Sequence, residues 1–291
     1  MKNCLLVLFI IFYLPFSALM AEDNKILCLY NNEGVEGGEL IIDWGFSALI
    51  YYNDQLILFD SGASSEILEH NCAKLGVDLS NVDIAVLSHN HRDHVTGFNY
   101  LLEVNPAVKL YLPDDSDLGG ESSKENEEWN SKYRVGYRFK DADVTFVKQN
   151  IQIAPGIALI PTVASSIGVY LKDPKDEQNT SYWGLPEVSL AVKSNDDKWI
   201  LLDGCSHSGV ANIVNESNKF LKTTVDGVIG GFHLRRFSND QLINIATKMK
   251  TELNVKWVSP THCTGENAQK IFKEIYQNEY KKFDLGSIIY F

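Results

Sequence analysis

The sequence predicts a layered α/β fold in which sheet is buried between helices. Short strand-like runs alternate with helical patterns from residue 22 onward, which is typical of this class. Several of the strand-like runs are continuously apolar, as expected of strands buried on both faces. The sequence shows no internal repeat at the periods expected of solenoids.

The strands are predicted from short apolar runs bounded by polar or turn residues. Asn53-Asp54 separates two of these runs and is predicted to form a hairpin turn, because both residues favour tight turns. The predicted strands are Lys25–Tyr30, Phe46–Tyr52, Leu56–Phe59, Val82–Leu87, Val108–Leu112, Ile157–Ile160, Val188–Val192, Trp199–Leu202, Val225–Ile229, Lys256–Val258 and Ser287–Tyr290.

Helices are predicted between these strands. Ser238 followed by Gln241 is a capping box, and the apolar residues after it recur at helical spacing. A second helix is predicted after Thr264 and a third from Gly209.

Two long segments lack a sustained apolar period: Pro113–Asp143 and Val163–Pro186. Loops of this length inside a domain are functional lids, solvated surface inserts or disordered segments, and the sequence leaves these alternatives open. The first contains four residues that would suit an anionic or aromatic ligand: Tyr133, Arg134, Tyr137 and Arg138.

Composition and charge limit the classes to which this protein can belong. The chain has 291 residues, 45% of them hydrophobic, which is enough to bury a sizeable core. Its 38 acidic and 26 basic residues give a net charge of −12, which argues against a nucleic-acid partner. Two domains are conceivable at this length, but we expect a single domain over residues 22–291.

The first 21 residues have the layout of a secretory signal peptide. One lysine precedes the apolar run Cys4–Phe16, and the small residues Ser17, Ala18 and Ala21 follow. We therefore expect cleavage near Ala21 and an exported protein, periplasmic or secreted. An uncleaved anchor, which would be the chain's one membrane contact, and a buried first strand are the alternatives.

Four cysteines remain after the leader, and an even number permits three disulfide pairings. Cys205 and Cys263 each lie within two residues of a histidine, so a metal or site role competes with a disulfide. Cys28 and Cys72 fall in apolar patterns, which favours small core residues.

The strongest chemical signal is the segment from Ser88 to His94, directly after a predicted buried strand. His89 and His91 point to the same side if the strand geometry continues, and Asp93 and His94 then turn into a helix. Imidazoles and a carboxylate that converge at a strand end can hold Zn²⁺ or a similar ion.

This segment resembles the H-x-H-x-D-H signature of the metallo-β-lactamase fold superfamily. Phe59–Gly62 also resembles the D-T-G turn of that fold, with Ser61 in place of threonine. The resemblance covers nearly the whole chain after the leader. It implies an αββα four-layer sandwich that holds two divalent metal ions, zinc or else manganese or iron, along the edge where the sheets meet.

The second half is similar to one branch of the superfamily, the dihydropterin-methyl-ribofuranosylaminobenzene-phosphate synthase-like proteins. Three segments carry this similarity in the branch's order: Gly204–Gly209, Gly230–Leu234 and Pro260–Gly265. Asp43–Ser47 resembles the branch's H-G-L-S segment with two changes.

The resemblance implies a ligand set. His89 and His91 would hold one metal, while Asp93, His94 and His262 would hold the second.

The superfamily's further histidine, in a G-H-T segment, is missing here, and Pro161-Thr162 stands roughly in its place. By the same resemblance, His207 replaces that imidazole. Cys205 occupies about the position of the bridging aspartate, where it either bridges the metals or is a buried structural thiol.

Three residues are expected to take part in catalysis: Asp60, Asp93 and His233. Asp60 would orient ligands or the attacking water, with a turn-capping role before Gly62 as its alternative. His233 would contact substrate or stabilise a leaving group from one face away, with a structural histidine as its alternative. Arg235 and Arg236 could bind a phosphate.

These residues predict a metal-dependent hydrolase that uses a metal-bound hydroxide on a small ester or phosphoester. The substrate is expected to be a small molecule, with an anionic one as an option. The alternatives are a transferase similar to the methanopterin-pathway synthase and a non-catalytic metal-binding sensor module. Export would separate the chain from the cytosolic metabolites of such a transferase.

Overall fold

The computed structural model describes residues 24–114, 139, 141–162 and 186–291. It confirms the αββα sandwich: two sheets pack face to face, and helices cover both outer faces. The leader, nearly all of the two long segments and the Tyr133–Arg138 cluster lie outside the described residues, so the predictions made for them remain predictions.

The strands fall into two sheets. Their bounds are β1 Lys25–Asn31, β2 Phe46–Tyr52, β3 Gln55–Phe59, β4 Ile84–Val86, β5 Lys109–Pro113, β6 Asp143–Val147, β7 Ile151–Ala154, β8 Ile157–Thr162, β9 Glu187–Lys193, β10 Trp199–Asp203, β11 Val225–Gly231, β12 Trp257–Thr261 and β13 Ile288–Tyr290. The first sheet has the order β13-β1-β2-β3-β4-β5-β6, and the second has the order β12-β11-β10-β9-β8-β7. Pairing is parallel from β3 to β6 and from β10 to β12, and antiparallel elsewhere.

The helices lie on the outer faces. Their bounds are α1 Ser65–Leu75, α2 Arg92–Val95, α3 Phe98–Val104, α4 Val210–Leu221, α5 Asn239–Thr251 and α6 Glu266–Tyr276, with short 3₁₀ turns at Leu79–Asn81 and Gln277–Glu279. Apolar residues of α1 and α3 pack on the first sheet, and those of α4, α5 and α6 pack on the second. The predicted capping box is present: the Ser238 side chain accepts from the Gln241 amide, and the Gln241 side chain accepts from the Ser238 amide.

The central core lies between the two sheets. Ile50 and Phe59 from the first sheet and Leu190 and Leu202 from the second belong to one cluster in which each is fully buried. Burial of this apolar surface drives the sheets together. The sandwich therefore provides a rigid frame for the loops at its edge.

Strands β6 and β7 are absent from the sequence prediction. Each forms one edge of its sheet, and the side chains of β7 are all exposed or half-buried. Edge strands carry polar residues and need no apolar run, so the apolar pattern that predicts a strand from sequence is weak in them.

Gly97 separates α2 from α3 and packs directly on the turn after β3. A Cβ at this position would lie 1.9 Å from the Ser61 carbonyl oxygen, so only glycine permits the approach. This contact holds the histidine-rich loop against the Asp60 turn.

The two ends of the described chain meet in the first sheet. β13 pairs antiparallel with β1, and the Phe291 amide donates to the Asn24 carbonyl at 3.0 Å. The last strand thereby converts β1 from an edge strand into an interior one.

Within the described ranges, none of the helices has the length and apolar character needed to cross a membrane.

Candidate metal centre

The candidate residues come together at one edge of the sandwich. They lie on loops that follow the carboxyl ends of β3, β4, β10, β11 and β12. Parallel registers align Asp203 with Gly230 and Gly231 with Thr261, so the loops after β10, β11 and β12 start at the same level. The Val188 amide donates to the Ser88 carbonyl at 2.7 Å and joins the two sheets there.

Four non-glycine residues in these loops have left-handed backbone conformations. Their φ angles are 57° at Asp60, 53° at Ser206, 51° at His233 and 54° at His262. Such conformations cost free energy and are found preferentially at functional sites. Here each one turns the chain sharply just after a strand end.

Three imidazoles form the first ligand group: His89, His91 and His207. His89 Nε2 lies 3.0 Å from His91 Nδ1 and 3.2 Å from His207 Nε2. The ligand atoms of His89 and His207 also lie within 4.8 Å of each other and of Cys205 Sγ, a spacing at which they could share one ion.

A chain of hydrogen bonds fixes the tautomer of His89. Ser88 Oγ donates to Asp60 Oδ2 at 2.6 Å, and it can therefore accept from His89 Nδ1, which lies 2.9 Å away. With its proton on Nδ1, His89 presents a lone pair on Nε2 to the other two imidazoles.

The second ligand group contains Asp93, His94 and His262. Asp93 Oδ2 lies 3.4 Å from His262 Nε2 and 3.7 Å from His94 Nε2. His94 Nδ1 donates to Asp60 Oδ2, and His262 Nδ1 donates to Asn32 Oδ1, both at 2.7 Å. The Nε2 atoms of both histidines are thus left as lone pairs facing Asp93.

The protonation equilibria of the first group favour ligation. Burial, followed by the neighbouring histidines, lowers the pKa of His89 well below its ordinary value and the pKa of His207 to about 2. Burial also lowers the pKa of His91. Metals bind the neutral imidazole, so these side chains are in the competent form at neutral pH.

The donor set fits divalent metal ions. Among the described residues, His262 Nε2 is buried and makes no hydrogen bond, which is costly unless a cation takes that position. Cys205 Sγ lies 3.2 Å from His94 Nε2 and is close enough to both groups to share an ion with either. Imidazole, carboxylate and thiolate ligands together suit zinc and related ions.

From the sequence we expect His233 to lie one face away from the ligands. In the structure it lies beside them. Its ring centroid is 4.5 Å from that of His207, because the left-handed backbone at His233 turns the ring inward. It forms a third group of donor atoms with Cys205 and Cys263.

The two thiols of this third group differ in acidity. Burial and the neighbouring Cys263 raise the pKa of Cys205 well above its ordinary value. Against the effect of burial, hydrogen bonds from Cys205 and His233 hold the pKa of Cys263 well below its usual range. All four described cysteines are free, and Cys28 and Cys72 are core residues.

Glu187, at the start of β9, is a site residue that sequence reasoning missed. Its buried carboxylate accepts from the amides of His207, at 2.9 Å, and Ser208. It thereby fixes the loop that carries His207. No local motif surrounds Glu187, since its partners are main-chain groups twenty residues away in sequence.

Comparison with known proteins identifies the family of the chain. The family model described as the metallo-beta-lactamase superfamily matches residues 45–171. The uncharacterized protein MJ0448 of Methanocaldococcus jannaschii is 30% identical over 84% of this chain and 92% of its own length. From the same organism, 7,8-dihydropterin-6-methyl-4-(beta-D-ribofuranosyl)-aminobenzene-5'-phosphate synthase is 27% identical over 81% of this chain and 84% of its own length.

Solved structures share the fold. Tm1679, a metal-dependent hydrolase of the beta-lactamase superfamily, superimposes with a TM-score of 0.71 at 23% identity over 92% of this chain and 99% of its own. The metallo-beta-lactamase fold protein YhfI from Bacillus subtilis gives 0.57 at 12% identity over 92% and 99%. The chain belongs to the metallo-β-lactamase superfamily.

Proposed function

We propose that this protein is a metal-dependent hydrolase that acts on a small ester or phosphoester. One observation carries the proposal: two groups of lone-pair donors face each other across Cys205, and the outer nitrogens of His89, His94 and His262 are already used in hydrogen bonds. Such second contacts fix ligands in the orientation that a metal requires. Two divalent ions held there would supply an activated water and polarise a substrate oxygen.

The chain's own residues prepare the site. Asp60 orients His94 directly and His89 through Ser88, so one buried carboxylate controls a ligand in each group. His233 lies beside His207, which supports a role for it as a hydrogen-bond donor to the leaving group. Asp93 faces both His94 and His262 and completes the second group.

The test combines metal content with turnover. Protein purified without chelators is expected to contain about two equivalents of zinc, manganese or iron by elemental mass spectrometry. It should hydrolyse a simple aryl ester or phosphodiester, and His91→Ala should lose both bound metal and turnover. His70→Ala is the matched control, because His70 Nε2 contacts the Glu39 carbonyl, outside the three donor groups. Full activity in His91→Ala would refute the assignment.

A transferase reaction is the second candidate. The relative named as a dihydropterin ribofuranosylaminobenzene-phosphate synthase supports it, at 27% identity over most of both chains. An assay for that relative's named product, run beside the ester assay, separates the two candidates. A full complement of metal with neither activity would favour the sensor module. We further propose that the leader directs export, which would favour the hydrolase.

A further inference from the structure

A cavity of about 850 Å³ opens beside the second ligand group. His262 lies in its wall, together with Trp44 and Arg235 from two other loops. A molecule in this cavity would therefore touch a candidate metal ligand at one end. The lining defines which chemical groups the other part of that molecule can carry.

The backbone next to Trp44 is closely packed. A Cβ at the next residue, Gly45, would lie 2.8 Å from the Asp93 carbonyl oxygen, so this segment packs tightly on the histidine-rich loop. The Trp44 ring lies 5.0 Å from the His262 ring, centroid to centroid, and is 40% exposed. The indole thus forms a fixed, open surface next to the ligand group.

Arg235 stacks on this surface. Its guanidinium carbon lies 4.8 Å from the centroid of the Trp44 ring. Gly265 makes the space for it, since a Cβ there would lie 2.6 Å from Arg235 Cγ. Among the described residues, no carboxylate pairs with Arg235 and no hydrogen-bond acceptor meets its N–H groups.

The other charges in the wall make Arg235 distinctive. Lys282 is the other described basic side chain that lines the cavity, and it pairs with Asp284 at 2.7 Å. Glu33, Glu36 and Glu266 also line the cavity and would repel a molecule with many negative charges. The wall therefore favours a small molecule with one anionic group directed at Arg235.

From this geometry we propose that Arg235, stacked on Trp44, binds a carboxylate or phosphate group that the substrate carries apart from its scissile bond. The stack covers a face of the guanidinium and leaves its N–H edge free, which matches two oxygens of such a group. That the bound molecule is a substrate rests on the proposed function, but its binding at Arg235 does not require turnover.

Binding is tested first, by calorimetry on the metal-loaded protein with phenylphosphonate and, separately, benzoate as probes. Arg235→Ala should weaken binding of the preferred probe about ten- to a hundredfold, as expected for the loss of charge-assisted hydrogen bonds. Arg235→Lys should recover only part of this, and Trp44→Leu should also weaken binding. The control is Lys270→Ala, an exposed basic residue that does not line the cavity.

The two probes separate the two sources of the anionic group, since the tighter one identifies phosphate or carboxylate. Equal affinity of wild type and Arg235→Ala for both probes would overturn the proposal. So would binding that disappears with a chelator yet is insensitive to Arg235, because the metal alone would then hold the anion.

Turnover is tested with a matched pair of esters, neutral 4-nitrophenyl acetate and anionic mono-4-nitrophenyl succinate. Wild type should prefer the anionic ester in kcat/KM, and the preference should disappear in Arg235→Ala through KM. Hydrolysis of neither ester, with Arg235-dependent binding intact, would argue against carboxylic-ester hydrolysis and leave this proposal standing. Turnover with an unchanged preference in Arg235→Ala would do the reverse.

Discussion

His94 Nδ1 donates a hydrogen bond to Asp60 Oδ2 at 2.7 Å, and neither side chain has any exposed surface. Against the effect of burial, the Asp60 carboxylate raises the pKa of His94 above its ordinary value. The pair resembles the carboxylate–histidine arrangement that orients metal-bound imidazoles.

Asp60→Asn should reduce metal affinity about 10- to 100-fold, which is the usual cost of losing such an outer partner. The amide would turn a donor toward His94 and Ser88, so both ligand groups lose their fixed orientation. Competition against a chromogenic chelator measures the effect. Ser47→Ala is the control, because Ser47 Oγ donates to the Asp60 main-chain oxygen and leaves the carboxylate untouched. Equal losses in both variants would contradict the role assigned to the carboxylate.

Glu187→Gln should release the His207 loop. A glutamine offers one acceptor where two amides need one each, which should cost about 1–3 kcal/mol of unfolding free energy. The expected metal content falls toward one equivalent, because His207 belongs to the first group alone. Elemental analysis and urea unfolding report the two effects, with exposed Glu252→Gln as control. Two tightly bound equivalents in Glu187→Gln would argue against this positioning role.

Gly97→Ala should destabilise the fold by about 3 kcal/mol, since the added methyl would overlap the Ser61 carbonyl. Helix propensity alone predicts the opposite sign, so the measurement separates packing from propensity. Gly76→Ala is the comparison: Gly76 has a left-handed φ of 69° with open space around it, and about 1 kcal/mol of strain is expected. If thermal unfolding shows the smaller loss at Gly97, the close approach is not as described.

Glu33→Gln should gain stability relative to wild type as the pH rises. Burial raises the pKa of Glu33 against its hydrogen bonds with Gln269 and Thr261. A carboxyl with a raised pKa stabilises the fold fully below its unfolded pKa, and that contribution is lost as the pH rises through the folded value. Urea unfolding of both proteins between pH 4 and pH 7 tests this. A constant difference across that range would contradict the shift.

The fold and the histidine-rich loop were predictable because their signals are local. The run from His89 to His94 follows a continuously apolar strand, and the Ser238 capping box lies within four residues. Strand ends differed from the prediction by at most three residues: Phe46–Tyr52 agrees at both ends, whereas the strand predicted as Val225–Ile229 extends to Gly231.

Other parts of the site depend on contacts that no local pattern reveals. Asn32 accepts a hydrogen bond from His262, which is 230 positions away in sequence. Glu187 accepts hydrogen bonds from main-chain amides, so the side chains of those partner residues give no sequence signal for the contact. The orientation of His233 follows from a left-handed backbone at a non-glycine residue, which sequence patterns do not predict. These features became visible only in three dimensions.

The pairing of β13 with β1 has a consequence for biosynthesis. The first sheet receives its last strand only when residues 288–290 have left the ribosome, although β1 is made near the start. Such long sequence separations slow folding and favour completion after translation. For a chain that we propose to be exported, this delay would keep the first sheet open, and the polypeptide able to pass through a translocation channel, until residues 288–290 have been made.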